Sequence, residues 1–230
     1  MANDYFRFKQ FTVFQSRCAM KVGTDGTLLG AWAEGGSEIL DVGTGTGLIA
    51  LMMAQRFQNA RITGVDIDAD AAVQARENVA LSPFVDRIDI VCADVLQMQG
   101  QYDCIVSNPP YFSNALPSPD RQLKLARHAE SLTYRGLWQV VGRLLTDDGR
   151  FSLVVPFDYR QKVKEEAALA GFFLHREWAV KTTPAKAPRR YLLAFGRHPV
   201  KTTDQGTVVL EASPGQRSEW YRQLTADFYL

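Results

Sequence analysis

The sequence lacks the features of a secreted, membrane-spanning or disulfide-bonded protein. It begins MANDYFRFKQF, in which Asp4, Arg7 and Lys9 interrupt the apolar stretch that a signal peptide needs. No run approaches the roughly 20 apolar residues that cross a bilayer. The three cysteines are odd in number and contain no CxxC pair, which argues against a disulfide framework and a zinc site. We therefore expect a soluble, cytoplasmic protein without a metal ion.

Strong net charge and catalytic histidine patterns are also missing. The formal net charge is +1, so any contact with nucleic acid requires a local basic patch rather than a basic surface as a whole. The three histidines, His128, His175 and His198, stand in no triad-like context. We therefore expect chemistry that does not depend on a histidine base.

What the sequence does contain is an alternation of short apolar runs with longer segments of helical period, beginning at Glu38. The runs are EILDVG, RITGVDI, IDIVCAD, YDCIVSN and RFSLVVP, followed by FFLHREWAV and RRYLLAFGR. The first five are rich in Ile and Val and lack polar alternation, as in parallel strands buried on both faces. The pattern predicts an α/β fold with a seven-stranded, mostly parallel sheet and helices on both faces.

A glycine-rich turn, DVGTGTG, follows the first predicted strand and leads into its helix. Glycine permits a tight turn and a close approach of backbone to ligand. Position 48 is Leu, so the spacing is GxGxG and differs from the GxGxxG of dinucleotide sites.

Acidic residues close the next two predicted strands. Asp66 ends the second strand and is placed to accept hydrogen bonds from two ribose hydroxyls, whereas Asp94 ends the third and can accept from an adenine amino group. The carboxyl ends of parallel strands share one crevice, so these acids and the glycine turn are expected to lie together.

Together these residues resemble the class I S-adenosylmethionine-dependent methyltransferases, from Glu38 to about Arg197. The resemblance implies a Rossmann-like fold and S-adenosylmethionine as the cofactor. The cofactor-binding residues that it implies are Asp41, Gly43, Gly45, Gly47, Asp66, Ile67, Asp94 and Val95.

The stretch VSNPPYF ends the fourth predicted strand, beside the same crevice. NPPY resembles the (D/N/S)PP(Y/F) motif of methyltransferases that act on planar amines: adenine N6, guanine N2, cytosine N4 or a glutamine amide. The lone pair of such an amine is delocalised, so the nitrogen is a poor nucleophile. Two acceptors, the side-chain oxygen of Asn108 and the carbonyl of Pro109, would favour a pyramidal nitrogen, and Tyr111 would stack on the planar group. These three residues are the catalytic candidates.

The two ends of the chain narrow the substrate. The segment from Phe6 to Trp32, with AMKVGTDGTLLGAW at its end, resembles the N-terminal signature of the bacterial tRNA1(Val) adenine N6-methyltransferases, and the closing FYL is typical of the same family. The family modifies the adenosine immediately 3′ of the anticodon. The resemblance implies tRNA, through its anticodon stem-loop, as the partner, and gives no reason to expect a membrane or an obligate protein partner.

By analogy with related enzymes, the KVGTDG turn lies over the amino-acid end of the cofactor, so that Lys21, Thr24 and Asp25 contact it. Basic residues on two predicted loops flank the crevice and are candidates for binding RNA phosphates. These are Arg121, Lys124, Arg127, Arg189 and Arg190.

The expected organisation is one methyltransferase domain with two additions. Residues 1–37 form an N-terminal extension that packs on the cofactor site, residues 38–200 form the domain itself, and residues 201–230 add a strand and a helix. Two other functions are also compatible with the sequence. One is N-methylation of a different planar amine, a release-factor glutamine amide or an rRNA guanine; the other is a noncatalytic RNA-binding module that retains the fold.

Overall fold

The computed structural model of the chain describes residues 4–18, 21–109 and 132–230. Within these residues one large sheet is built from eight strands: β3 (Glu38–Val42), β4 (Arg61–Asp66), β5 (Ile88–Cys92), β6 (Tyr102–Ser107), β7 (Leu145–Pro156), β8 (Phe173–Lys181), β9 (Arg190–Gly196) and β10 (Asp204–Val209). Two short strand pairs stand apart from it: β1 (Tyr5–Arg7) with β2 (Thr12–Phe14), and β11 (Glu211–Ser213) with β12 (Gln216–Arg217).

The described helices are α1 (Thr24–Trp32), α2 (Leu48–Arg56), α3 (Ala69–Ala80), α4 (Tyr134–Leu144), α5 (Arg160–Leu169) and α6 (Glu219–Leu224). Several begin with the side-chain caps that satisfy their first backbone N–H groups: Asp68 caps α3, Thr133 caps α4 and Ser218 caps α6. Among the residues that the structure describes, no helix combines the length and apolarity that a membrane span requires.

The strand order is β10-β8-β9-β7-β6-β3-β4-β5. From β7 to β5 all neighbours are parallel, and β9 is antiparallel to both β7 and β8. The predicted α/β class, with a mostly parallel sheet, is confirmed. The described part of the sheet has eight strands rather than the predicted seven, because β10, in the C-terminal segment, pairs in parallel with β8 and extends the edge.

Successive residues of each central strand enter opposite cores, which explains the lack of polar alternation. Ile39 packs in one apolar cluster with α1 and α2, whereas Leu40 packs in a second cluster with α4. In that second cluster Trp138 of α4 meets the rings of Phe151 and Phe195 edge-on, at centroid distances of 5.1 and 5.0 Å. Helices therefore cover both faces, as the sequence predicted.

The last residues of the chain dock against the N-terminal hairpin. Lys9 donates its backbone N–H to the carbonyl of Phe228 at 2.8 Å, and Gln55 of α2 donates to the carbonyl of Asp227 at 2.7 Å. The Phe228 side chain is 2% exposed and belongs to the same core as Phe8 and Phe11. The two ends of the chain thus share one packed region against the sheet.

This docking predicts that Phe228→Ala lowers the free energy of unfolding by about 3 to 5 kcal/mol, the usual cost of emptying a buried phenylalanine site. Leu230→Ala is the matched control two residues away, because Leu230 is 79% exposed and loses little contact. Urea unfolding followed by tryptophan fluorescence measures both. Equal stability of the two variants would show that the C-terminal contact does not contribute to folding.

Candidate active site

The carboxyl ends of three parallel strands form the base of the candidate site. Val42, the last residue of β3, is level with Val65 on β4 and with Ser107 on β6. Whatever follows these strands must therefore emerge at one edge of the sheet. The glycine turn follows β3, Asp66 is the last residue of β4, and Asn108 follows β6.

The glycine turn has three residues in the left-handed region, where glycine is strongly favoured. The φ angles of Gly43, Gly45 and Gly47 are +72°, +56° and +80°. The N–H groups of Gly43 and Thr44 both donate to the carbonyl of Val65, at 2.9 and 3.0 Å, so the turn is pinned across the end of β4. The chain then enters α2 directly after Gly47.

Asp41, one of the predicted cofactor ligands, lies completely beneath this turn. Its side chain is 0% exposed, and its Oδ2 accepts from the hydroxyl of Thr44 at 2.7 Å and from the N–H of Ala50 at 3.2 Å. Burial raises the pKa of Asp41 to about 7; the bonds from Thr44 and Ala50 oppose the rise, and nearby Asp66 adds to it. The carboxyl group ties the turn to α2 from below. Its direct contact with a cofactor stays a prediction.

Asp66 joins the glycine turn to the segment that leads from β4 into α3. Its Oδ2 accepts from the N–H of Gly45 at 2.8 Å, and its Oδ1 accepts from the N–H of Asp68 at 3.0 Å. A carboxylate has about four acceptor sites, so these bonds are compatible with further bonds from a pair of hydroxyls. The side chain is half-buried at the rim of the crevice.

The remaining predicted cofactor residues line the same rim. Ile67, directly after β4, is 41% exposed and offers an apolar surface. Asp94 is half-buried and caps the following turn by accepting from Leu96 at 2.9 Å, whereas Val95 is 6% exposed and packs into the core. The structure therefore brings these three residues to one edge with Asp66.

Asn108 and Pro109 stand at the exit of β6. The hydroxyl of Ser107, which is 1% exposed, donates to the carbonyl of Val42 at 3.0 Å and joins the ends of β6 and β3. Asn108 is half-buried and Pro109 is buried. Asn108 therefore directly follows the end of β6, and that strand end is hydrogen-bonded to the start of the glycine turn.

The N-terminal signature also reaches this position, through the first turn of α1. A Cβ placed on Gly26 would lie 3.9 Å from Nδ2 of Asn108 and 3.1 Å from Leu48 of α2. Gly26 is buried, Thr24 is half-buried and Lys21 is exposed. The start of α1 therefore borders the site, and the cofactor contacts of Lys21 and Thr24 remain predictions.

Asp25 and Arg190 are paired with each other. Arg190, the first residue of β9, places Nη1 2.8 Å from Oδ1 of Asp25, and both side chains are about four-fifths buried, with exposed fractions of 22% and 20%. Burial raises the pKa of Asp25, and the charge of Arg190 opposes that rise. Asp25 and Arg190 thus form an ion pair that joins α1 to β9. The predicted contacts of Asp25 with the cofactor and of Arg190 with RNA stay predictions.

The other predicted RNA contacts divide by location. Arg189 is exposed at the start of β9, near the carboxyl edge. Four predicted residues lie outside the described residues: Tyr111, Arg121, Lys124 and Arg127. Their roles therefore stay predictions from sequence.

Sequence reasoning missed three polar residues that shape the site: Ser107, Thr44 and Asn78. Ser107 and Thr44 make the bonds described above. Asn78 of α3 is 0% exposed; it donates to the carbonyls of Thr46 and Phe14, each at 2.8 Å, and accepts from the N–H of Phe14 at 2.9 Å. It thus ties the glycine turn to the N-terminal hairpin. For Asn78, the sequence shows only a polar residue on the apolar face of a predicted helix.

The described residues fit S-adenosylmethionine. A Cβ on Gly43 would meet nothing within 4 Å, so the backbone of the turn faces open space that a ligand can enter. Around that space the rim carries an acidic acceptor, an apolar surface and a second acidic acceptor, namely Asp66, Ile67 and Asp94. No group of three or more His, Cys, Asp or Glu side chains capable of holding a metal ion occurs in the described ranges.

Comparison with known proteins places the chain in a family. Residues 16–173 match the family described as "Methyltransferase small domain". A tRNA1(Val) (adenine(37)-N6)-methyltransferase from Bacteroides thetaiotaomicron is 47% identical, over 100% of this chain and 99% of the relative. Its counterpart from Phocaeicola vulgatus is 48% identical with the same coverage, and that from Tolumonas auensis is 41% identical over 100% and 98%. The chain belongs to the tRNA1(Val) (adenine(37)-N6)-methyltransferase family.

Solved structures show the same fold at low sequence identity. A predicted O-methyltransferase from Agrobacterium tumefaciens superposes with a TM-score of 0.68 at 18% identity, covering 89% of this chain and 96% of that one. A glycopeptide N-methyltransferase complexed with S-adenosylmethionine superposes with a TM-score of 0.56 at 14% identity, covering 77% and 100%. The class I methyltransferase fold predicted from the sequence is confirmed. For members of this family, S-adenosylmethionine is the methyl donor.

The buried Asp41 predicts a pH dependence of stability. Its pKa is about 7 in the folded protein against 3.8 in the unfolded chain, so between these values the folded state binds more protons and stability falls as pH rises. Asp41→Asn keeps an acceptor oxygen for Thr44 and Ala50 but cannot ionise. Wild type should therefore lose stability relative to the variant between about pH 4 and pH 7, by up to about 4 kcal/mol.

Urea unfolding at several pH values tests this difference. Asp89→Asn serves as the control, because Asp89 is an exposed carboxylate on β5. Parallel pH profiles for wild type and Asp41→Asn would contradict the assignment of a raised pKa to this group.

Proposed function

We propose that this protein transfers a methyl group from S-adenosylmethionine to N6 of the adenosine immediately 3′ of the anticodon in tRNA1(Val). It is a methyltransferase by family, and its relatives named for this reaction match over the full length of the chain. We propose the anticodon stem-loop as the part of the tRNA that it contacts, and the cytoplasm as the place where it acts.

The observation that carries the proposal is the position of Asn108 relative to the glycine turn. β6 pairs directly with β3, and the Ser107 hydroxyl bonds to Val42 at 3.0 Å, so the amide follows one strand while the turn follows its neighbour. An amine acceptor held by Asn108 and a cofactor held by the turn and Asp66 would then be adjacent. This arrangement suits direct transfer between two bound molecules.

The roles of the residues follow from the chemistry of a conjugated amine. S-adenosylmethionine, when bound, supplies a methyl group already activated by its sulfonium centre. The side-chain oxygen of Asn108 and the carbonyl of Pro109 accept hydrogen bonds from the two N6–H groups and favour a pyramidal nitrogen. The nitrogen then releases one of these protons to solvent, since the proton becomes acidic as the methyl group arrives and needs no strong base. Tyr111 stacks on the base. Asp66 accepts from the ribose hydroxyls, and Asp94 accepts from the adenine amino group of the cofactor.

Magnitudes indicate that positioning contributes most. One hydrogen bond contributes roughly 0.5 to 1.5 kcal/mol and one base stack about 1 to 3 kcal/mol. Alignment of two reactants contributes on the order of 7 to 11 kcal/mol. The rigid strand ends and the proline after Asn108 serve this alignment. The base leaves its stack at little cost, because an anticodon loop is already partly single-stranded.

The three-part organisation of the chain is likewise a proposal. Residues 38–200 are taken as the methyltransferase domain, residues 1–37 as an extension on the cofactor site, and residues 201–230 as an addition to the same domain. The bonds from Asn78 to Phe14 and to Thr46 support the placement of the extension, since they join it to the glycine turn.

The direct test is nucleoside mass spectrometry after incubation of tRNA with the protein and S-adenosylmethionine. N6-methyladenosine should form in tRNA1(Val), and a transcript with guanosine at the position 3′ of the anticodon should stay unmodified. Undiminished methylation of that transcript would favour another amine, such as a guanine N2. Methylation of release factor alone would favour the glutamine amide, and binding without any methylation would favour a noncatalytic module.

Asn108→Ala should lower turnover on the order of 10²-fold, the usual effect of removing one preorganised hydrogen-bonding group from a reacting centre. Affinity for S-adenosylmethionine should be unchanged, because Asn108 is assigned to the amine. Asn108→Asp, which keeps an acceptor oxygen, should retain more turnover than the alanine variant. Single-turnover kinetics with tRNA give the rates, and full activity in Asn108→Ala would remove Asn108 from the mechanism.

Asp66→Ala should weaken binding of S-adenosylmethionine by about 1.5 to 3 kcal/mol, because it removes acceptors for the ribose hydroxyls and the support of Gly45. Asp70→Ala is the matched control, since Asp70 is an exposed carboxylate in the first turn of α3. Titration calorimetry measures both affinities. Unchanged affinity in Asp66→Ala would place the cofactor ribose elsewhere.

A further inference from the structure

An exposed aromatic side chain stands at the carboxyl edge of the sheet. Phe157 directly follows β7 and is 55% exposed. Single exposed apolar side chains are common on protein surfaces, but this ring lies beside the strand ends that form the candidate site. A ring of this kind beside a nucleic-acid site is suited to stacking on a base.

The position of Phe157 relative to Asn108 follows from the register of two parallel strands. Ser107 of β6 is level with Leu153 of β7, so Phe157 lies three residues beyond the level of Asn108, roughly 10 Å along the strand direction. This separation leaves room for a second base beside one held at Asn108. The adjoining nucleotide of a single strand can reach the ring.

The backbone of Phe157 is anchored to the neighbouring strand, and its ring lies beside a second aromatic ring. The N–H of Phe157 donates to the carbonyl of Arg189 at 3.0 Å, which fixes the backbone to β9. Its ring centroid lies 6.3 Å from that of Tyr191, and the guanidinium of Arg160 lies over Tyr191 at 4.8 Å from the ring centre. An anchored backbone leaves less conformational freedom to lose when a base stacks on the ring.

The charge beside the ring suits a phosphate. Arg189 is exposed and adjoins Phe157 through the backbone bond. Two neighbouring arginines are engaged with acids: Arg160 pairs with Glu177, and Arg190 pairs with Asp25. Arg189 is therefore the cation of this group that is placed to meet the backbone of the nucleotide on Phe157.

We propose that Phe157 stacks on the nucleotide next to the target adenosine and that Arg189 contacts its phosphate. This inference rests on the proposed function, because it names a further substrate contact of the same site. The occupant is a single-stranded RNA nucleotide, since a ring and a cation together match a base and its phosphate.

The test measures tRNA methylation by Phe157→Ala, Phe157→Trp and Phe173→Ala. Phe173 is a matched control: it is 44% exposed but begins β8, which runs parallel to β7, so it lies at the opposite edge of the sheet. Phe157→Ala should raise KM for tRNA about 5- to 150-fold, with unchanged kcat and unchanged affinity for S-adenosylmethionine. Phe157→Trp and Phe173→Ala should behave as wild type.

A stacking readout separates this role from a structural one. Anticodon stem-loops carrying 2-aminopurine on either side of the target adenosine should show quenching at one position with wild type and Phe157→Trp. The quenching should be lost with Phe157→Ala. Arg189→Gln should reduce the slope of log Kd against log salt by about one, whereas Arg61→Gln, an exposed arginine at the start of β4, should leave it unchanged.

Two results would overturn the inference while leaving the proposed function intact: wild-type KM in Phe157→Ala, or quenching that persists in that variant. Either would assign the exposed ring to another partner, such as a protein. Failure of the wild-type protein to methylate tRNA1(Val) would instead contradict the proposed function, and it is seen before any variant is measured.

Discussion

Parallel pairing of β3 with β4 on one side and β6 on the other is the constraint on which the site depends. The ladder holds Val42, Val65 and Ser107 at one level, so the glycine turn, the acidic rim and the Asn108 amide emerge together. A shift of one residue in either pairing would reverse the faces of a strand that is buried on both sides. The packing of Ile39 and Leu40 into separate cores opposes such a shift.

Hydrogen bonds at this edge of the sheet hold the glycine turn in place. Three buried or half-buried side chains make these bonds: Asp41 from below the turn, Asp66 from the rim and Ser107 from the neighbouring strand. Keeping a carboxyl group under the turn is costly, as the raised pKa of Asp41 indicates. The cost is accompanied by a turn whose backbone conformation is fixed, which is what a preorganised ligand site requires.

The N-terminal segment contacts the residues around the strand ends. Gly26 borders Asn108, Asp25 pairs with Arg190 on β9, and Asn78 connects the hairpin to the glycine turn. These contacts connect the KVGTDG turn to the strand ends and to β9. With a formal net charge of +1, contact with nucleic acid requires a local basic patch rather than a basic surface as a whole.

The sequence by itself determined the fold class, the order of the central strands and helices, and the family. Hydrophobic runs, glycine spacing and NPPY are local patterns, and a local pattern can be read without knowing what it touches. It did not determine that β10 adds an eighth strand to the described part of the sheet, that Asp41 lies under the turn, or that Asp25 faces Arg190. These features depend on residues far apart in the chain; the bond from Ser107 to Val42 spans 65 residues. Only the tertiary structure decides them, because register and burial are properties of the packed sheet and not of any one segment.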